Sequence, residues 1–176
     1  MLALTVPGLT GCGPKDNSGS GSDDGQNAEP STPTIVVQQY FASTEYIVMS
    51  TDEENGELMP PVEKEIEVAE GDNPYLLAVN SLKTVPEGQD QYTTVMGDRY
   101  TINDISVEDG VAYVDFSSEG LEGGLIDEVI LVDQIVYTLS NTFDDVAGVR
   151  FLIDGGEAET LMGAVDITET FIADYL

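Results

Sequence analysis

Ile105-Ser106-Val107-Glu108-Asp109-Gly110-Val111-Ala112-Tyr113-Val114-Asp115-Phe116 is the stretch whose reading decides the fold. Two alternating runs meet at Asp109-Gly110, a dipeptide suited to a two-residue turn whose central residues both take positive φ. Such a turn sets the register: Glu108 faces Val111, Val107 faces Ala112, Ser106 faces Tyr113 and Ile105 faces Val114. Cross-strand partners share a face, so Ile105, Val107, Ala112, Val114 and Phe116 form one apolar side. Asp104, Ser106, Glu108, Val111, Tyr113 and Asp115 form the other. A sheet with one apolar face needs a cover.

The flanking sequence supplies that cover. Residues 126–141 predict a long helix; at 100° per residue, Leu125, Val129, Val132, Val136, Leu139 and Phe143 share a face. Ile126, Ile130 and Tyr137 widen the apolar arc. Asp127, Gln134, Thr138 and Asn141 line the opposite side, which leaves Leu131 as an apolar member of a polar stripe. Upstream, Asp72-Asn73-Pro74 opens a second helix, with a capping side chain ahead of a first-turn proline. Its residues Tyr75, Leu76, Val79 and Leu82 recur at helical spacing, and Pro86 is expected to stop it. Residues 34–41, 46–50 and 62–68 read as strands, and 87–100 as a polar irregular loop. The acidic stretch 52–57 reads as a solvated turn around Asn55-Gly56, because its spacing lacks the alternating ligands of an EF-hand loop. Val146 to Ile153 reads as a last strand, ended by Asp154-Gly155-Gly156. The expected fold is α+β: three strands, a helix, the hairpin, a second helix and a last strand.

The N-terminus reads differently. Leu9-Thr10-Gly11-Cys12 follows a mostly apolar leader and precedes a run of Gly, Ser, Asp and Asn ending Pro30-Ser31-Thr32-Pro33. Leu-Thr-Gly-Cys resembles the lipobox of bacterial lipoproteins, whose cysteine takes a diacylglyceryl group before the leader is cut away. Two acyl chains on one residue suffice for stable anchoring, where a single chain holds only marginally. The leader of 11 residues has no Lys or Arg, short of the basic n-region and full apolar core of a signal segment. Residues 1–11 are therefore expected to be a truncated signal segment. Residues 12–33 are the lipidated cysteine and a flexible linker, and 34–176 the folded domain. Cys12 is the only cysteine, so the fold stands without an internal disulfide.

Composition narrows the chemistry. The chain carries 34 Asp plus Glu against 5 Lys plus Arg, a net charge of -29. Such a surface repels phosphate backbones, so no nucleic-acid partner is expected. It offers no attraction to anionic headgroups either, and membrane attachment falls to the lipid at Cys12. Histidine is absent, which removes His-dependent serine and cysteine hydrolysis and the commonest metal ligand. No cofactor or metal is expected.

Several blocks resemble the GerM-type domain of sporulation and spore germination proteins. They are the hairpin from Val107 to Ser118, the helix Ile130-Leu131-Val132-Asp133-Gln134-Ile135-Val136-Tyr137-Thr138-Leu139 and the strand Val149-Arg150-Phe151-Leu152-Ile153-Asp154-Gly155. The tail Glu159-Thr160-Leu161-Met162-Gly163-Ala164-Val165-Asp166 fits too, with Ala164 where many members carry a histidine. The resemblance covers about residues 34 to 170. It implies a fold like the ring-building domains of the spore-forming apparatus, a small mixed or antiparallel sheet with two helices on one face, and a membrane-anchored scaffold with no catalytic residues. The expected role is an extracytoplasmic lipoprotein on the outer face of the cytoplasmic membrane, meeting other envelope proteins or copies of itself. Val111, Tyr113 and Leu131 are the candidate interface residues. The alternatives are a solute-binding lipoprotein and a carboxylate-dependent hydrolase of cell-wall glycans.

Overall fold

In the computed structural model, which describes residues 32–44 and 61–173, two helices alternate with seven short strands. Strand β1 (Thr34–Tyr40) is followed by β2 (Ala42–Ser43) and β3 (Pro61–Glu67), then by helix α1 (Pro74–Asn80) and a 3-10 turn, Ser81–Lys83. Strands β4 (Tyr92–Thr93), β5 (Ile102–Glu108) and β6 (Val111–Phe116) precede helix α2 (Leu125–Thr142), and β7 (Gly148–Ile153) follows it. Cys12, the linker up to residue 31, the expected strand at 46–50 and the turn at 52–57 lie outside the described residues.

Asp109 and Gly110 have φ of 50° and 83°, the double left-handed turn that matches the twist of its flanking strands. The pairs Glu108–Val111, Val107–Ala112, Ser106–Tyr113 and Ile105–Val114 form as expected. An irregularity between Ile102 and Asp104 then sets Ile102 opposite Phe116, so Ile102 joins the inner face. β7 adds alongside β6 in parallel, and α2 is the crossover between them. The sheet β5-β6-β7 is thus mixed.

Helices α1 and α2 cover its inner face. Val79 and Leu82 from the α1 region, with Val132, Ile135, Val136 and Leu139 from α2, share one core with Ile105, Val114, Phe116 and Phe151. Asn73 caps α1: its Oδ1 accepts from the N–H groups of Tyr75 (3.1 Å) and Leu76 (3.2 Å). α1 ends at Asn80, well before Pro86. Gln39, wholly buried in β1, donates from Nε2 to the Ser81 carbonyl (2.9 Å) and Oγ (2.8 Å), and so holds the C-terminal end of the helix.

The largest departure from expectation concerns the polar stripe of α2. Gln134, Thr138 and Leu131 are all 0% exposed. β1 and β3 form an antiparallel ribbon separate from the three-stranded sheet, and the stripe packs against its β1 edge. The Gln38 N–H donates to Thr142 Oγ1 (3.0 Å) and the Tyr40 N–H to Thr138 Oγ1 (3.2 Å). Gln134 Nε2 donates to the Tyr40 carbonyl (3.0 Å), and its Oε1 accepts from the Val95 N–H (3.3 Å). A strand edge that is to be buried needs partners for its peptide groups, and the helix provides them. Leu131 therefore belongs to the core and is corrected as an interface residue. Leu125, assigned to the buried face, is 61% exposed at the first position of α2.

Residues 87–100 also exceed a polar loop. Tyr92–Thr93 pairs with Ala42–Ser43, and Met96 and Tyr100 are fully buried. At the C-terminal end, Phe171 closes the free edge of β7 by exchanging hydrogen bonds with Val149 (2.9 and 2.8 Å).

Candidate interaction surfaces

The outer face of the β5-β6-β7 sheet presents Asp104, Ser106, Glu108, Val111, Tyr113 and Asp115, all partly or fully exposed. Parallel pairing sets Arg150 beside Tyr113 and Leu152 beside Asp115. Arg150 is tied down: one guanidinium nitrogen donates to the Thr168 carbonyl (2.9 Å) and to Glu157 Oε1 (3.2 Å). Asp115 is also engaged, accepting from the Gly155 N–H (2.7 Å) and from Asn103 Nδ2 (3.0 Å). Asp104 accepts from Asn73 Nδ2 (3.1 Å). Val111 and Tyr113 are thus an apolar and an aromatic side chain, both half-buried, on a face otherwise rich in carboxylates.

Two carboxylates on α2 stand apart from the solvated majority. Glu128 is 0% exposed. Its Oε1 accepts from the N–H groups of Leu161 (2.8 Å) and Met162 (2.9 Å), and its Oε2 from that of Ala164 (2.7 Å). One side chain thereby fixes the path of the loop that follows β7. Met162 then lies against Tyr100, whose hydroxyl is 3.6 Å from its sulfur.

Asp133 is the opposite case. It is mostly buried, and no hydrogen bond or cation among the described residues reaches its carboxylate. Burial pushes its pKa up from the ordinary carboxylate value to about 6. The unfolded chain loses this proton near the ordinary carboxylate value, so the group lowers stability as pH rises through that interval, and the full penalty holds above the folded pKa. Asp133→Asn should therefore stabilise the protein at pH 7.5 by on the order of 1–3 kcal/mol and leave it nearly unchanged at pH 4. Thermal melts of both proteins across that range check the sign. An equal gain at both pH values would separate the effect from titration of Asp133.

Among the described residues no group of three His, Cys, Asp or Glu side chains is placed to hold a metal ion. Nor is any described helix long and apolar enough to cross a membrane.

Residues 39–159, more than half of the chain, match the model of a family described as "Germane: Sporulation and spore germination". The chain belongs to the Germane family. Solved structures with the same fold include the first GerMN domain of the sporulation protein GerM from Bacillus subtilis. That match has a TM-score of 0.57 and 16% identity, over 81% of this chain and 99% of the other. The tandem GerMN domains of the same protein match with TM-score 0.57 and 17% identity, over 80% of this chain and 46% of theirs. A candidate lipoprotein of Clostridium perfringens matches with TM-score 0.51 and 18% identity, over 80% and 89%. No curated protein matches the chain in sequence.

Within this Germane domain the structure puts Val111 and Tyr113 on the outer sheet face and Leu131 in the core. Glu128 was missed by sequence reading, because a glutamate in the first turn of a helix has an ordinary explanation in the helix dipole. The Ala164 N–H that binds it is a backbone group, which any residue except proline supplies.

Proposed function

We propose that this Germane protein is a non-catalytic scaffold of the bacterial cell envelope, held at the outer face of the cytoplasmic membrane by lipid on Cys12. The run Leu9-Thr10-Gly11-Cys12 and the Gly/Ser/Asp linker behind it support the anchor, as does the likeness to a candidate lipoprotein. Residues 1–11 would then be the remnant of a signal segment, and residues 12–33 the leash. A role in sporulation or germination follows the family description. The observation that carries the scaffold reading is the pair Val111 and Tyr113 on the outer sheet face, next to the held Arg150 and on the side away from the core. That face would meet another envelope protein or, in a head-to-tail contact, the helical side of a second copy.

Two measurements test this. Cys12→Ala should move the native protein from the detergent phase to the aqueous phase; retention with the membrane fraction would place the anchor elsewhere. Sedimentation of the protein at low and high salt, beside a Val111→Lys, Tyr113→Glu double variant, tests self-assembly. A net charge of -29 opposes association of copies, so assembly should strengthen as salt screens it and be lost in the double variant. A monomer under all conditions would leave a different envelope protein as the partner of this face.

A further inference from the structure

The two edges of the β1–β3 ribbon are treated differently, and the difference defines a second surface. In the antiparallel register, Gln38 pairs with Glu63, Val36 with Glu65 and Thr34 with Glu67. The N–H groups of Gln38 and Tyr40 point to α2, away from β3. Gln38 and Val36 are therefore in non-hydrogen-bonded pairs with Glu63 and Glu65, because antiparallel pairs alternate in type. The Val68 N–H, bonded to the Pro33 carbonyl (2.8 Å), continues the same alternation beyond Thr34 and Glu67. It follows that the peptide N–H and C=O groups of Glu63, Glu65 and Glu67 point outward from β3. Among the described residues no strand pairs with that edge.

The side chains of the same three residues lie on one face, about 6.7 Å apart along the strand, and all three residues are exposed. Their cross-strand neighbours Thr34, Val36 and Gln38 carry no charge, and Lys64 alternates to the other face. Val36, 49% exposed, lies among the glutamates as an apolar contact. One edge thus offers three peptide donor–acceptor sets in register with three carboxylates that no cation among the described residues pairs with, Glu63 Oε1 accepting only a neutral amide hydrogen bond from Gln38 Nε2 (3.0 Å).

We propose that the β3 edge is a docking site for an extended, basic segment of a different protein, added to the ribbon as an antiparallel strand. Lys or Arg at alternate positions of that segment would stand directly across from Glu63, Glu65 and Glu67, where opposite charges on paired strands attract. A second copy of this chain does not fit. Its five cations, Lys15, Lys64, Lys83, Arg99 and Arg150, are nowhere two residues apart. Pairing β3 with its own copy about Lys64 would set glutamate against glutamate and lysine against lysine. Charge without pattern would make any polycation a ligand; the outward ladder groups ask for an extended backbone with free N–H groups.

The test titrates the full-length, isotopically labelled chain with a synthetic peptide, Thr-Lys-Val-Lys-Val-Lys-Thr, and follows amide shifts and hydrogen exchange. The expected result is movement and slowed exchange of the Glu63, Glu65 and Glu67 amides, with affinity falling as salt rises. A peptide of the same sequence, N-methylated at the three lysines, keeps the charge but cannot complete the ladder, and should bind at least tenfold more weakly. Glu65→Lys should weaken the parent peptide by a similar factor while leaving the rest of the amide spectrum in place. Equal binding of the methylated peptide, or shifts spread over the acidic surface away from β3, would overturn the proposal. Because self-assembly through Val111 and Tyr113 strengthens with salt and this contact weakens, failure of either reading is distinguishable from failure of the other.

Discussion

Glu128→Ala is expected to cost this Germane domain about 3–5 kcal/mol, a large share of the roughly 5–15 kcal/mol that holds a single domain together. The physical reason is asymmetric. The carboxylate is buried and accepts from three peptide N–H groups, those of Leu161, Met162 and Ala164. Alanine removes all three acceptor contacts and supplies nothing in return; the Leu161 donor is buried and those of Met162 and Ala164 part-buried, and a buried donor left unpaired costs about 1–3 kcal/mol. Glu128→Gln should fall between, because its amide oxygen can serve one side of the cradle while its NH2 group confronts an N–H on the other. Urea denaturation gives the stability loss. Hydrogen exchange at residues 161, 162 and 164 shows whether the loop after β7 opens first. A loss below about 1 kcal/mol in the alanine variant, with exchange there unchanged, would mean that other contacts hold that loop.

Phe116→Asp should unfold the domain outright at neutral pH. Phe116 is 0% exposed, 6.3 Å between ring centroids from Phe151, in the core shared by both helices and the three-stranded sheet. The substitution forfeits about 1.5–3 kcal/mol of apolar burial and either buries an unpaired charge or draws water into the core. Val136→Asp, on the helix side of the same core, should behave alike. Circular dichroism melts decide the matter. A cooperative transition near that of the unmodified protein in both variants would contradict the packing of α2 on the hairpin sheet.

How much was legible in advance differs sharply between neighbouring elements. The hairpin could be read pair by pair, because the Asp109-Gly110 turn sets the register and alternation sets the faces. A helix cap at Asp72 or Asn73 could be read for the same local reason, and the structure gives it to Asn73. The two helices followed from apolar spacing, and their place on one face of a small sheet from the family resemblance. Of the candidate interface residues, Val111 and Tyr113 stand on the outer face, while Leu131 is buried. Leu131 shows why. A helix wheel assumes that polar residues face water, yet Gln134, Thr138 and Thr142 face an unpaired strand edge instead. Nothing in the helix itself distinguishes those two destinations.

What the sequence determined by itself, then, is the set of choices made over a few residues: a turn that needs two positive φ angles, a helix cap, an alternating strand. The steric and hydrogen-bonding demands of those features are met within the segment. What only the tertiary structure decided is where peptide groups left over from one element find partners in another. Glu128 bonds N–H groups 33 to 36 residues away, and Thr138 serves an N–H 98 residues away. The outward edge of β3 is defined by which way Gln38 and Tyr40 point. Unpaired peptide groups are costly wherever they are buried, but which side chain satisfies them depends on how the chain closes on itself, and composition and periodicity carry no record of that.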